Sequence, residues 1–197
     1  MKMNLPNKLT VLRMIMIPFF MVIIMFPFLG GFWSRIAAAA IFGLTALTDM
    51  LDGKIARKYG LITNFGKFLD PVADKLMTIG GYVALLTTMT NDREFFLIFA
   101  WATFIVILRE IAVTSLRMIA SNGSSVVIAA AYLGKVKTVS QIVCILVMIL
   151  EPAFLANTVF DQYHILSYIS LAFMVFMTVW SGLDYLKAYW PLLNPEE

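Results

Sequence analysis

The chain has 197 residues, of which 61% are hydrophobic and only 14% charged, and its mean hydropathy is +0.87. An average soluble domain carries about 25% charged residues, so this balance excludes an ordinary soluble fold and points to an integral membrane protein built as one domain, 1–197. The net charge of +3 reads as anchoring charge beside a membrane, not as a nucleic-acid-binding surface.

Six apolar segments follow in chain order, at roughly 9–30, 34–58, 70–90, 95–121, 135–156 and 163–188. Each reaches the ~20 residues that cross a ~30 Å hydrocarbon core as a helix. Helix is the expected form because backbone groups in lipid must find partners inside the segment. The first segment is preceded by "LPNKLT", which reads as a helix start with Pro6 in the first turn and Asn7 capping nearby. No small-residue cleavage site follows it, so it reads as a span and not as a signal peptide. The second segment ends in Asp49 and Asp52, and the third opens with Asp70 and Asp74. A turn of roughly eleven residues, with glycines at 60 and 66, is expected between them. The fourth holds Arg109 and Glu110 inside an apolar run. A polar stretch, "SNGSSVV", separates it from the fifth, which begins with Lys135 and Lys137. The single cysteine, Cys144, allows no internal disulfide and reads as a packing residue. Glu151, before Pro152, marks an outer span end, and His164 reads as interfacial. Trp33, Tyr163 and Trp190 sit near span ends, as interfacial aromatics do.

The basic residues set an orientation. Lys2, Lys8 and Arg13 lie around the first span's start, Lys54, Arg57, Lys58, Lys67 and Lys75 between the second and third, and Arg109, Arg117, Lys135 and Lys137 near the fourth and fifth. Lys187 follows the sixth. Thirteen of fifteen therefore fall on one side, leaving Arg35 and Arg93 for the other. The positive-inside bias makes the rich side cytoplasmic, with both termini inside and the aspartates opening to the cytoplasm.

The four aspartates carry the chemistry. Asp49, Asp52, Gly53 and Ala56 recur at i, i+3, i+4 and i+7 and share a helix face. Asp70 and Asp74, four apart, share a face of the next helix. Four carboxylates together repel and call for a cation. An all-oxygen set without His or Cys favours magnesium, manganese or calcium, and a two-metal site suits phosphoryl displacement. Gly53 leaves room for a ligand to approach the backbone, and Arg57, one turn on, has the guanidinium geometry to hold a phosphate. A merely solvated loop is the weaker reading, since ionisable groups bordering spans are costly.

The pattern Asp49-x-x-Asp52-Gly53-x-x-Ala56-Arg57, eight residues, Gly66-x-x-x-Asp70-x-x-x-Asp74 resembles the signature of the CDP-alcohol phosphotransferase family at every position. The resemblance implies the fold of that family: all-α, six transmembrane helices, an active site at the cytosolic face, and a homodimer in a bacterial cytoplasmic membrane. It implies Asp49, Asp52, Asp70 and Asp74 as ligands of Mg2+ or Mn2+, with Asp74 also the general base for the acceptor hydroxyl. It implies a CDP-lipid site at Gly53, Arg57, Thr63, Asn7 and Thr10. The segments "NLPNKLTVLRMIMIP", "LREIAVTSLR" and "LGKVKTVSQ" resemble those of family members that use glycerol 3-phosphate. That likeness implies transfer of the phosphatidyl group of CDP-diacylglycerol to sn-glycerol 3-phosphate, with release of CMP. The acceptor is a dianion, and Arg109, Arg117, Lys135 and Lys137 are candidates to bind its phosphate, against a plain anchoring role. Glu110 is a candidate to orient Arg109.

Three other readings compete. Another member of the family would make cardiolipin or a phosphatidylinositol phosphate, which the opening segment and the Lys135/Lys137 segment disfavour. A membrane prenyltransferase also uses two aspartate clusters, but Gly53, Ala56 and Arg57 do not belong to that pattern. A divalent-cation transporter would place its carboxylates near the bilayer midplane, whereas these cluster at one edge.

Overall fold

The computed structural model describes residues 4–60, 63–89, 92–121 and 131–190. The side chains of residues 52–58, 67, 119–121 and 131 lie outside the described residues, as does the polar stretch at 122–130. The described residues form seven helices and no strand: α1 (Leu5–Met25), α2 (Gly31–Tyr59), α3 (Asn64–Leu86), α4 (Arg93–Ser121), α5 (Ala131–Phe154), the single turn α6 (Val159–Gln162) and α7 (Ile165–Tyr189).

Five of these, α1, α2, α4, α5 and α7, are long and apolar enough to cross a membrane. The expected third span, α3, has 23 residues but carries Lys67, Asp70, Asp74 and Lys75 in its first half, and on composition it does not stand with the other five. The surface agrees with a lipid environment. Leu12, Ile15, Phe19, Leu44, Leu47, Leu97, Trp101, Phe104, Ile169, Phe173 and Phe176 are all exposed, far more contiguous apolar surface than a water-soluble monomer shows.

Helix boundaries differ from the apolar segments for a physical reason. Apolar runs mark the part of a helix that matches hydrocarbon, not its polar ends. α1 begins four residues before the apolar stretch because Asn4, not Asn7, caps it, its side chain accepting from the Asn7 amide at 3.1 Å. α3 begins six residues before Asp70, because Thr63 caps it by accepting from the Gly66 amide at 3.0 Å. Only residues 60–63 therefore separate α2 from α3, in place of the eleven expected. Gly60, at φ +63°, ends α2 in a left-handed conformation that suits glycine.

α1 packs on α2 and α3, α5 on α7 and α2, and α4 on α7. The buried stripe of α1 runs Asn7, Thr10, Arg13, Ile17, Phe20, Ile24, every third or fourth residue, as one face of a helix must. Its first half is polar and its second half apolar. The apolar half joins Phe42, Met77, Tyr82, Phe99, Ile145, Met148 and Met174 in the main core, with Phe20 and Phe42 in ring contact at 5.2 Å. Cys144 is fully buried in that core. The polar half faces the aspartate end of the bundle, where α1 starts and α7 stops.

At the opposite end Glu151 of α5 is buried and caps α7. It accepts from the amides of Leu166 at 2.9 Å and Ser167 at 2.8 Å, and from the Ser167 hydroxyl. His164 stacks on Phe95 at 4.7 Å, with Asp92 3.7 Å away.

Candidate active site

Three helices bring the aspartates together, and α1 is the tie between them. Thr10 is almost wholly buried, and its Oγ1 donates to Asp70 Oδ1 at 2.8 Å. One turn further, the fully buried Arg13 pairs with Asp49 of α2. One turn earlier, Asn7 Oδ1 accepts from Thr63 Oγ1 at 3.1 Å. The same Thr63 oxygen caps α3, so this contact fixes where α3 starts and with it the height of Asp70 and Asp74. Asp49 is half-exposed and lies within electrostatic reach of both Asp70 and Asp74. Asp74 is half-buried, and Thr78 donates to its backbone carbonyl at 3.1 Å. The side chains of Asp52, Gly53 and Arg57 lie outside the described residues.

Gly66 shows how tightly the site is built. A Cβ there would lie 3.0 Å from Asn7 Oδ1, 3.3 Å from Thr63 Oγ1 and 3.9 Å from Asp70 Oδ2. Three polar side chains thus converge on a position that only glycine leaves open.

A second cluster sits beside the first, on α4, α5 and α7. Lys137 and Glu110 form a buried ion pair. Arg109 Nη1 approaches the same Glu110 oxygen at 3.4 Å, its Nη2 donates to Ser181 Oγ at 3.1 Å, and the guanidinium lies 5.5 Å from the centre of the Tyr185 ring. Lys137 and Glu110 both act electrostatically on Asp74, which places Asp74 between the two clusters. Of the four basic residues chosen from sequence, Arg109 and Lys137 come together, and Arg117 and Lys135 are exposed at the same end.

Sequence reasoning missed Arg13 as a site residue and treated it as an anchoring charge. Its place three residues after Thr10 on one helical face was the available signal. It also missed Ser181 and Tyr185, which carry no motif. Glu110, a candidate from sequence to orient Arg109, has Lys137 as its closer partner.

The donor set of Asp49, Asp70 and Asp74 is all hard oxygen and suits a magnesium-like cation. Among the described residues no three candidate ligands already converge tightly enough to hold an ion. Arg13 supplies one positive charge to the cluster.

A model of the family described as CDP-alcohol phosphatidyltransferase matches residues 3–180. The chain is similar to a CDP-diacylglycerol–glycerol-3-phosphate 3-phosphatidyltransferase of Bacillus subtilis (strain 168), at 38% identity over 97% of both chains. It is 35% identical to a protein of the same description from Yersinia pestis (strain Pestoides F), over 99% of this chain and 100% of that one. It is 34% identical to another from Salmonella paratyphi A, over 95% and 96% respectively.

Proposed function

Because the chain belongs to the CDP-alcohol phosphatidyltransferase family, we propose that it transfers the phosphatidyl group of CDP-diacylglycerol to sn-glycerol 3-phosphate, giving phosphatidylglycerophosphate and CMP. Relatives so described, at 34–38% identity over nearly the whole chain, support this acceptor. The observation that carries the reading is the α1 tie: Thr10 on Asp70 and Arg13 on Asp49 gather carboxylates from separate helices at one end of an apolar bundle.

The acceptor's free terminal hydroxyl attacks the phosphorus that bears diacylglycerol. The bond from that phosphorus to the bridging oxygen breaks, and CMP leaves with the bridging oxygen. The hydroxyl proton passes to Asp74, a carboxylate in position to act as general base. Asn7, Thr10, Gly53, Arg57 and Thr63 hold the CDP head. Arg109, Arg117, Lys135 and Lys137 receive the acceptor phosphate, with Lys137 acting electrostatically on Asp74. Asp49, Asp52, Asp70 and Asp74 would hold Mg2+ or Mn2+, which when bound offsets the charge of the diphosphate. α3, packed on α1, α4 and α5, makes the sixth crossing despite its charged first half. The aspartate end faces the cytoplasm of a bacterial cell membrane, and the enzyme works there as a homodimer.

The test is CMP release from CDP-diacylglycerol by the purified protein with magnesium. Glycerol 3-phosphate, inositol phosphate, serine and phosphatidylglycerol are offered in parallel, with Asp74→Asn as control. Release with glycerol 3-phosphate alone, lost in the variant, is the expected result. Release with a different acceptor would discard the acceptor assignment and keep the family chemistry.

A further inference from the structure

At the end of the bundle away from the aspartates lies a cavity of about 180 Å³, bordered by Arg35, Thr88, Asp92, Phe95, His164 and Ser167. Most of its polar groups are already engaged. Asp92 Oδ1 accepts from the Phe95 amide at 3.0 Å, capping α4, and its other oxygen faces His164. Thr88 donates to the Leu85 carbonyl at 2.8 Å, and Ser167 donates to Glu151. Arg35 differs. Among the described residues no carboxylate lies within ion-pair distance of it, and Asp161 acts on it only from farther away. A guanidinium presents five N–H donors in a planar fork that matches a phosphate. Here that fork borders a cavity, half-buried, at the edge of an apolar bundle.

The surroundings indicate what kind of phosphate fits. The cavity is smaller than the ~300–1,000 Å³ of sites that enclose a whole drug-sized ligand. It suits a headgroup and not a complete lipid. The helices that contribute Arg35 and Pro152 to it also carry Phe32 and Phe154, their rings edge-on at 5.8 Å and both exposed, with Trp33 exposed beside them. Aromatics at this depth are where acyl chains and headgroups meet. We infer that this cavity is a phosphate-binding site, seating the phosphodiester of a membrane phospholipid on Arg35 at the bundle end remote from the aspartates.

The test uses the full chain in detergent, with native mass spectrometry after addition of dioleoylphosphatidylethanolamine, alone or against millimolar inorganic phosphate. Wild type, Arg35→Gln and Arg93→Gln are compared. Arg35→Gln is expected to weaken the tightest lipid association by about ten- to a hundredfold, the size of one charged hydrogen-bonding partner, while Arg93→Gln binds as wild type. Lipid that resists inorganic phosphate assigns the site to the headgroup. Displacement by inorganic phosphate overturns the lipid assignment and leaves a free-phosphate site. Equal binding by wild type and Arg35→Gln overturns the site altogether. If Arg35→Gln does not fold, Thr88→Phe, which fills the cavity and keeps Arg35, must produce the same loss. Undiminished binding there also overturns the proposal.

Discussion

Removing Glu110 should destabilise the protein sharply, and removing Lys137 with it should restore most of the loss. Their side chains are 9% and 5% exposed, and Arg109 approaches the same carboxylate oxygen. Glu110→Leu leaves two buried cations facing each other without that carboxylate. Breaking a buried pair in this way costs about 3–5 kcal/mol. The Coulomb energy of two unit charges ~4 Å apart at an effective dielectric of ~20 is about 4 kcal/mol, which agrees. A chain of this length shifts its unfolding midpoint by roughly 2–4 °C per kcal/mol, so Glu110→Leu should lower it by about 6–20 °C. The double variant Glu110→Leu/Lys137→Met replaces the pair with apolar side chains and removes the more buried of the two cations, while Arg109 keeps Ser181 and the Tyr185 ring, so its midpoint should recover most of the loss. The assay is thermal unfolding in detergent on all four members of the cycle. Activity then separates packing from binding: if Lys137 receives the acceptor phosphate, the refolded double variant keeps a raised KM for glycerol 3-phosphate. An unshifted midpoint in Glu110→Leu, or a double variant as unstable as the sum of the singles, would refute the reasoning.

The remaining predictions concern the α1 tie and the far end. Thr10→Val keeps the shape and removes the donor to Asp70; it should lower kcat/KM for CMP release by about ten- to a hundredfold, as loss of a hydrogen bond to a charged group does, and Thr10→Ser should recover it. Gly66→Ala places a methyl 3.0 Å from Asn7 Oδ1; the crowding, about 1–3 kcal/mol, should appear as lost turnover, with circular dichroism showing an intact helical fold. Glu151→Ala leaves two amides at the start of α7 without their acceptor; it should lose about 2–4 kcal/mol of stability, read as a lower unfolding midpoint, while KM for both substrates stays near wild type.

The aspartate pattern was legible because it is local. Two helical spacings and one short connection put the carboxylates in order, and any helix of 3.6 residues per turn would align them. Arg13 was harder to see. A basic residue early in an apolar helix serves equally well as an anchor, and only the burial of Asn7, Thr10 and Arg13 along one stripe shows which way it points. Glu110 and Lys137 are 27 residues apart on different helices, so no spacing rule joins them. Their pairing is a property of how α4 lies against α5. The start of α3 was missed for another reason: hydropathy finds the hydrocarbon-matching part of a helix, whereas α3 begins with a polar turn set by the Thr63 cap.

The two clusters are built on one electrostatic plan. The carboxylate cluster contains a cation, Arg13, and the cationic cluster contains a carboxylate, Glu110. Each therefore satisfies part of its own charge at short range. Without Arg13, the carboxylates of α2 and α3 would draw on Lys137; without Glu110, Lys137 would be free to close on Asp74. On the proposed function, either collapse would occupy groups that the acceptor phosphate and the diphosphate would use. Interior pairs of this kind contribute little net stability, because desolvation offsets the attraction. On the proposed function they act as a spacer: they hold opposite charges apart on either side of Asp74, beside which the acceptor hydroxyl would meet the phosphorus. On this argument the charge of Arg13 and Glu110 matters as much as their shape.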